Sequence, residues 1–467
     1  MNHQEIEHQA ETSAAFELKR SFFDKGSTRS YEFRLDALRR LKDMVKRNER
    51  KILDALEKDL GKPEFEGYTS EIGILYEEIN EAIKHLKDWM KPVQVSTPIV
   101  LHPSKSTIYQ DPLGVVLIIG PWNYPFQLLM APLIGAIAAG NCIILKPSDQ
   151  TPSVSNVINE LISSTFSNHF ISVVQGPGAL VGPQLIEKYR FDHIFFTGSP
   201  NVGRKIAEMA GRQLTPVTLE LGGKSPLIVD QTANLDVAAK RIVWSKFFNA
   251  GQTCVCPDYL LVHESVKTEL VTRIKREIIS AFGNDPKASK SYGRIVNNRR
   301  VSILKDLMKN GRILHGGEVD DSMRYVAPTL IDNISLEDPI MQEEIFGPLL
   351  PILTYSALDE ALGIIRRNRY PLALYLYTED KTTEEFFINN VEFGGGCINN
   401  GMVHLANSGL PFGGVGTSGM GQYHGRHSFS TFSHLKSMIS TSTKLDPSIR
   451  YAPYSEKKLS LARKFMR

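Results

Sequence analysis

The chain has 467 residues, 54 Lys+Arg against 51 Asp+Glu, a net charge of +3 and 42% hydrophobic residues. This is an ordinary soluble globular composition, long enough for two to three domains, and its charge balance excludes the basic excess that a nucleic-acid surface needs. Four cysteines, at spacings that match no zinc pattern, exclude a disulfide scaffold and predict a reduced, cytoplasmic setting.

The N-terminal stretch MNHQEIEHQAETSAAF has no apolar core flanked by basic residues, so no secretory leader is expected. Leu35, Leu38, Leu41 and Val45 recur at helical spacing, as do Leu53, Leu56 and Leu60. Ile72, Leu75, Ile79, Ala82 and Leu86 repeat the pattern, and Pro92 ends it. One apolar stripe per helix predicts that each packs on a larger body. From residue 113 short apolar runs take over: Val115–Ile119, Cys142–Leu145, Ile171–Val174, Ile194–Phe196, Val217–Leu221, Leu227–Val229 and Tyr259–Val262. Helical stretches such as Thr151–Phe166 and Val202–Gln213 separate many of them. That alternation predicts a parallel sheet covered by helices on both faces. Leu128–Leu145 is almost wholly apolar, but Pro132 and the Gly140-Asn141 turn signal divide it. It reads as a buried helix, a turn and a strand rather than a membrane span. Sheet-forming runs resume at Leu349–Thr354 and Ala373–Tyr377, and Gly394–Gly425 is rich in glycine. The basic tail SEKKLSLARKFMR has too few apolar residues to be a membrane anchor.

Four segments carry chemistry. In FNAGQTCVCP, residues 248–257, Cys254 lies in a polar turn where a thiol can be exposed and activated; a lone cysteine is also often an inert small hydrophobe. In VTLELGGKS, residues 217–225, Glu220 sits in an apolar strand that ends in Gly-Gly. Burial would raise its pKa towards that of a general base, and a salt bridge is the structural alternative. In GPWNYP, residues 120–125, Asn123 follows a buried strand, where ligands sit in open α/β sheets. Its amide suits an oxyanion hole or, more simply, a turn cap. In FFTGSPNVGR, residues 195–204, a strand runs into Gly198-Ser199 and a helix opens behind it, so backbone N–H groups could meet a phosphate. Lys146 and Asp149, at the end of another strand, could hold ribose hydroxyls; an ordinary strand–helix turn is the plain reading of both segments.

Together these segments resemble the aldehyde dehydrogenase superfamily, and most of all its class 3, fatty-aldehyde-like branch. The resemblance runs from about residue 25 to 440. It rests on GPWNYPF at 120–126, AAGNCIILKPSDQTP at 138–152, FFTGSPNVG at 195–203, LELGGKSP at 219–226, FNAGQTCVCPDY at 248–259, QEEIFGP at 342–348 and LPFGGVGTSGMGQYHG at 410–425.

The resemblance implies an α/β fold with a Rossmann-type cofactor-binding domain (1–91 and 113–221), a catalytic domain (222–397), a bridging element (92–112 and 398–440) and a tail (441–467). It implies Cys254 as nucleophile, Glu220 as the base that activates water, and Asn123 with the Cys254 N–H as the oxyanion hole. Lys146 and Asp149 resemble the adenosine-ribose contacts, and Gly198, Ser199 and Gly203 the turn near the pyrophosphate. Glu344 and Phe346 resemble the nicotinamide-side contacts, and Tyr124, with Tyr68, the substrate tunnel. His404 stands where the branch places a His near the cofactor, and Cys256 has no family role. The expected enzyme is a hydrolytic NAD-dependent aldehyde dehydrogenase. Asp149 is shorter than the Glu of many relatives, so NADP should also be usable. A homodimer without metal or membrane anchor is expected, acting on medium-to-long aliphatic or aromatic aldehydes. A coenzyme-A-acylating relative, a thiol esterase and a non-catalytic descendant are the rival readings. The presence of Glu220 argues against the first, and the intact catalytic positions argue against the last.

Overall fold

A computed structural model describes residues 15–466. The leader reading and the first residues of the cofactor-binding segment fall on 1–14, outside the described residues. A helix over 15–24 precedes three longer ones. Helix Tyr31–Arg47 starts where the Ser30 hydroxyl accepts the Phe33 N–H at 3.2 Å, and it buries Leu38, Leu41 and Val45. Glu49–Leu60 ends at Gly61 (φ +56°), and Ile74–Trp89 buries Leu75, Ile79, Ala82 and Leu86 of the predicted stripe, its first member Ile72 being buried just before the helix. A one-turn helix, Glu64–Gly67, and a π-turn, Tyr68–Gly73, lie between them.

The apolar stretch folds as a fully buried helix, Gln127–Ala139, a left-handed turn at Gly140 (φ +91°) and a strand, Cys142–Lys146. A side chain at Gly140 would collide with the guanidinium of Arg34. Among the described residues no helix is long and apolar enough to cross a membrane.

Two large sheets carry the molecule. The six-stranded sheet runs Gly419–Met420, Val217–Glu220, His193–Thr197, Val115–Ile119, Cys142–Lys146, Ile171–Val173, parallel except for its first strand. Its chain order reverses beside Val115–Ile119, which places a topological switch point at the carboxyl ends of the central strands. The seven-stranded sheet runs Arg312–His315, Thr329–Asp332, Leu349–Tyr355, Tyr259–His263, Pro226–Val229, Ala373–Tyr377, Gly395–Ile398, antiparallel only at its first pair. The inner strands of both sheets are covered on both faces, so they read as near-continuous apolar runs. Residues 221–225 cross from the end of one sheet to the start of the other.

A third sheet pairs Ser104–Pro112 with Val93–Val95 and with Ser433–Thr441. Of the expected bridging stretch 398–440, therefore, only the part from Ser433 joins 92–112. The glycine-rich part before it returns to the large sheets: Gly419 pairs with Glu220, and a side chain there would collide with the carbonyl of Leu219. Those glycines allow a close backbone crossing.

Candidate active site

A cleft of about 1080 Å³ opens where the carboxyl edge of the six-stranded sheet faces the amino edge of the seven-stranded one. Its walls follow from the topology. Trp122 and Asn123 come after Val115–Ile119, Thr197 to Asn201 after His193–Thr197, and Glu220 ends its strand. From the other side come Cys254, just before Tyr259–His263, and Glu344 and Phe346, just before Leu349–Tyr355. Seven of the residues singled out in the sequence thus line one cleft: Cys254, Glu220, Asn123, Gly198, Ser199, Glu344 and Phe346.

Glu220 is 2% exposed, and neither carboxylate oxygen has a hydrogen-bond partner among the described residues. The salt bridge that sequence left open is not there. Burial raises its pKa well above the usual carboxyl range, because the charged form loses its water. Glu344 is raised in the same way, by burial first and then by Asp258, against the pull of Arg300 and Lys224. Burial, followed by the carboxyls of Glu344 and Glu220, pushes the half-buried Cys254 thiol up to about 12, while the N–H groups of Val255 and Cys254 pull it down. Cys256 differs in kind: it is buried, and its thiol donates to the carbonyls of Lys246 and Pro257, each at 3.4 Å.

The loop that presents Cys254 is strained. Asn249 (φ +52°) and Ala250 (φ +51°) are left-handed without being glycine, and Gly251 (φ +72°) follows. Each such residue costs of order 1–3 kcal/mol unless its surroundings fix it. Glu66 accepts the Asn249 N–H at 2.9 Å, and burial pushes this carboxyl up to about 7 against the pull of that amide and of Lys62. The Asn249 side chain donates to the carbonyls of Asn123 (3.0 Å) and Gln252 (3.1 Å). The Asn123 side chain also donates to the Gln252 carbonyl, at 3.1 Å. Lys62, Glu66, Glu71 and Asn249 gave no signal in the sequence: the first three sit between amphipathic helices, and apart from the Lys62–Glu71 pair itself their partners lie far along the chain.

The residues fit a dinucleotide. The Thr197 hydroxyl in the cleft has no partner among the described residues, and Ser199 caps helix Pro200–Arg212, accepting the Val202 N–H, so that the helix N-terminus faces the cleft. Trp122 meets Phe346 edge-on at 5.2 Å, forming an aromatic wall. Lys146 and Asp149 lie beyond the cleft lining, next to Gln150, which belongs to it. The Lys146 ammonium donates to the carbonyls of Pro147 and Gly176, both at 2.8 Å, and burial lowers its pKa. Gly203 does not face the cleft. It is buried in its helix, where a Cβ would come 2.6 Å from Leu221, so it serves helix–strand packing.

Tyr124 is buried behind the Cys254 loop, with its hydroxyl 2.6 Å from Thr253 Oγ1, and it does not line the cleft. Tyr68 is 41% exposed on the π-turn. His404 lies with Nδ1 at 3.6 Å from Cys397 Sγ and its ring stacked on Phe412. Among the described residues no group of three or more His, Cys, Asp or Glu side chains could hold a metal ion.

A family model described as "Aldehyde dehydrogenase family" matches residues 3–438. The 4,4'-diaponeurosporen-aldehyde dehydrogenase of Staphylococcus aureus is 50% identical over 440 residues, covering 94% of this chain and 95% of that protein. A Rattus norvegicus protein named aldehyde dehydrogenase, dimeric NADP-preferring, is 44% identical over 420 residues, covering 90% and 92%. A solved structure described as the substrate-bound state of Staphylococcus aureus AldH superposes with a TM-score of 0.95 at 48% identity, covering 98% of this chain and 99% of that one.

Proposed function

The chain belongs to the aldehyde dehydrogenase family, and from that premise we propose that it oxidises apolar, medium-to-long aliphatic or aromatic aldehydes through an acyl-Cys254 thioester. NAD(P)-dependent aldehyde oxidation is its activity. The finer reading rests on one observation above the others: a buried carboxyl with both oxygens free lines the same cleft as a half-buried thiol.

Cys254 gives its thiol proton to solvent, helped by the N–H groups of Val255 and Cys254 that favour the thiolate, and the thiolate attacks the aldehyde carbon and forms a carbon–sulfur bond. The carbonyl electron pair moves to oxygen, where the Asn123 amide and the Cys254 N–H receive it. Losing one such donor typically costs about 3 kcal/mol in the transition state. A bound nicotinamide supplies acceptance of the hydride that leaves this tetrahedral carbon. Gly198, Ser199 and the following helix start would hold the pyrophosphate, with Glu344 and Phe346 on the nicotinamide side and Lys146 and Asp149 on the adenosine side. Glu220 then takes a proton from water, the hydroxide adds to the thioester carbon, and the carbon–sulfur bond breaks to release the acid. Burial raises the Glu220 pKa, and a carboxylate so raised is a stronger base towards water than an ordinary one.

The homodimer is part of the same reading. Strand Ser433–Thr441 is an exposed edge whose outer side is unpaired among the described residues, with Leu435, Met438 and Ile439 exposed, a surface that invites pairing. The name of the rat relative supports it. Cytoplasmic residence rests on the low cysteine count alone.

The test is a panel of aldehydes of increasing chain length assayed with NAD and with NADP, with the acid product identified. Cofactor reduction with free acid released is expected, with kcat/KM rising with chain length. A preference for short polar aldehydes would overturn the substrate class, and acyl transfer to coenzyme A would overturn hydrolysis.

A further inference from the structure

We propose that the buried Lys62–Glu71 ion pair is a positioning element of the reaction centre, holding the backbone around Asn123 so that its side-chain amide keeps its place beside the Cys254 loop. The inference rests on the oxyanion role of Asn123 given above.

Both side chains are fully buried, with Lys62 Nζ 2.5 Å from Glu71 Oε1. Taking two charges out of water costs several kcal/mol each unless good geometry offsets it, so an ion pair here is poor evidence for stability. What sets this pair apart is the identity of its remaining partners. Lys62 Nζ donates to the Asn123 carbonyl at 3.1 Å and sits 4.2 Å above the Tyr124 ring. Glu71 Oε2 accepts the N–H groups of Phe126 (3.0 Å) and Gln127 (2.9 Å). Every backbone contact of the pair therefore falls on residues 123–127, the segment that carries the oxyanion donor.

The Asn123 carbonyl also accepts from Asn249 Nδ2, so one oxygen ties the pair to the strained loop before Cys254. Lys62 holds the carbonyl from one side, Asn249 from the other, and Tyr124 ties its hydroxyl to Thr253, the neighbour of Cys254. The donor and the nucleophile are thereby referenced to each other through a buried frame rather than through flexible side chains. Misplacing a catalytic group by about 1 Å can cost roughly a hundredfold in rate.

The test uses the full-length enzyme and a double-mutant cycle. Removing one charge strands the other and threatens folding, so the main variant is the apolar double substitution Lys62→Met, Glu71→Leu, which packs without an unpaired charge. It is expected to fold, to bind NAD with a KM within about threefold of the parent, and to lose roughly 10–100-fold in kcat. The decisive readout is the same pair of substitutions in an Asn123→Ala background, where the donor it positions is gone. There the added loss should fall below about twofold, because groups that act as a unit are not additive.

A folded Lys62→Met, Glu71→Leu enzyme with full kcat overturns the inference. So does a loss that multiplies fully with that of Asn123→Ala, since this marks general structural damage. If Asn123→Ala itself keeps parental kcat, the oxyanion reading fails and this inference with it. If Asn123→Ala is crippled and the cycle is additive, only the positioning inference fails. Should that double variant not fold, Lys62→Met, Glu71→Gln, which also leaves no unpaired charge and keeps a side-chain oxygen for the Phe126 and Gln127 N–H groups, is carried through the same cycle with the same criteria.

Discussion

Glu71 and Glu220 are both carboxyls shut away from water, and they are treated in opposite ways. Glu71 has a lysine ammonium and two backbone N–H groups as partners, and it sits where the 62–71 segment meets residues 126 and 127. Glu220, at the end of a strand that opens into the cleft, has no hydrogen-bond partner on either oxygen among the described residues. A carboxylate with its lone pairs satisfied by an ammonium and two N–H groups holds those neighbours in place. One left bare is destabilised as an anion and gains by taking a proton. The same side chain thus serves as a clamp in one place and as a base in the other. The two cysteines repeat the contrast on a smaller scale, Cys256 tied to two carbonyls and Cys254 at the cleft wall.

The largest effect that this contrast predicts is at the thiols. Cys254→Ala removes the atom that bonds the substrate, and aldehyde oxidation should fall to background, while Cys256→Ser keeps most of it. Steady-state NADH formation with purified, folded proteins checks both. A dead Cys256→Ser beside an active Cys254→Ala would exchange the two assignments.

Next comes Glu220→Gln, which keeps the shape but cannot take a proton at neutral pH. Turnover should drop by roughly 10²–10⁴-fold, the usual weight of a general base. A rapid first equivalent of NADH per site should survive, because thioester formation precedes the step that needs the base. The pH dependence follows from the raised pKa. The base form exists only above it, so the parent's hydrolytic step weakens as pH falls through that value, and Glu220→Gln should lose this limb. Stopped-flow absorbance across pH reads both features. Loss of the burst along with turnover would mean that Glu220 serves Cys254 rather than water.

Stability should move the other way at the two carboxyls. Glu71→Gln strands a buried ammonium and should cost about 3–5 kcal/mol. Glu220→Gln removes a group whose folded pKa lies above its unfolded one. Such a group lowers stability as pH rises past the unfolded value, so the Gln variant should be more stable than the parent at neutral pH and indistinguishable from it near pH 4. Thermal unfolding at two pH values decides. A stabilising Glu71→Gln, or a destabilising Glu220→Gln, would erase the distinction between clamp and base.

The sequence made the base legible and hid the clamp. Glu220 interrupts an apolar strand before Gly-Gly, so its oddity is local. Cys254 and Asn123 lie in turns next to apolar runs, and the strand–helix alternation put those turns at sheet edges. Lys62 and Glu71 look like the ordinary charges of an exposed helix face, and their partners Asn123, Phe126 and Gln127 lie more than 50 residues away. Gly203 misled for a related reason: a glycine at a helix start is equally apt for a phosphate or for a close neighbour, and only the packing of Leu221 decides. The glycine-rich stretch after 398 divided likewise, because glycine marks close approach without naming what approaches.

The smallest effect is expected at Asp149, a third carboxylate treated in yet another way. It is exposed, beside Gln150 at the cleft's edge. In the proposed site it faces the adenosine ribose, where it would repel a 2′-phosphate. Near the surface, with an effective dielectric constant of about 20, two charges about 5 Å apart interact by only roughly 3 kcal/mol before salt, and less once screened. Being short, Asp149 should discriminate weakly: NAD preferred, NADP accepted. Asp149→Asn keeps the size and removes the charge, so the ratio of kcat/KM for NADP over NAD should rise about 5–10-fold at low ionic strength and shrink towards unity in 0.5 M salt, where the Debye length is only a few ångströms. Neither Glu71→Gln nor Glu220→Gln should alter that ratio, since both carboxyls are buried away from the ribose end. A parent enzyme that strongly prefers NADP, or an Asp149→Asn ratio that stays flat at low salt, would remove Asp149 from the ribose and leave cofactor choice to the backbone turn at Gly198-Ser199.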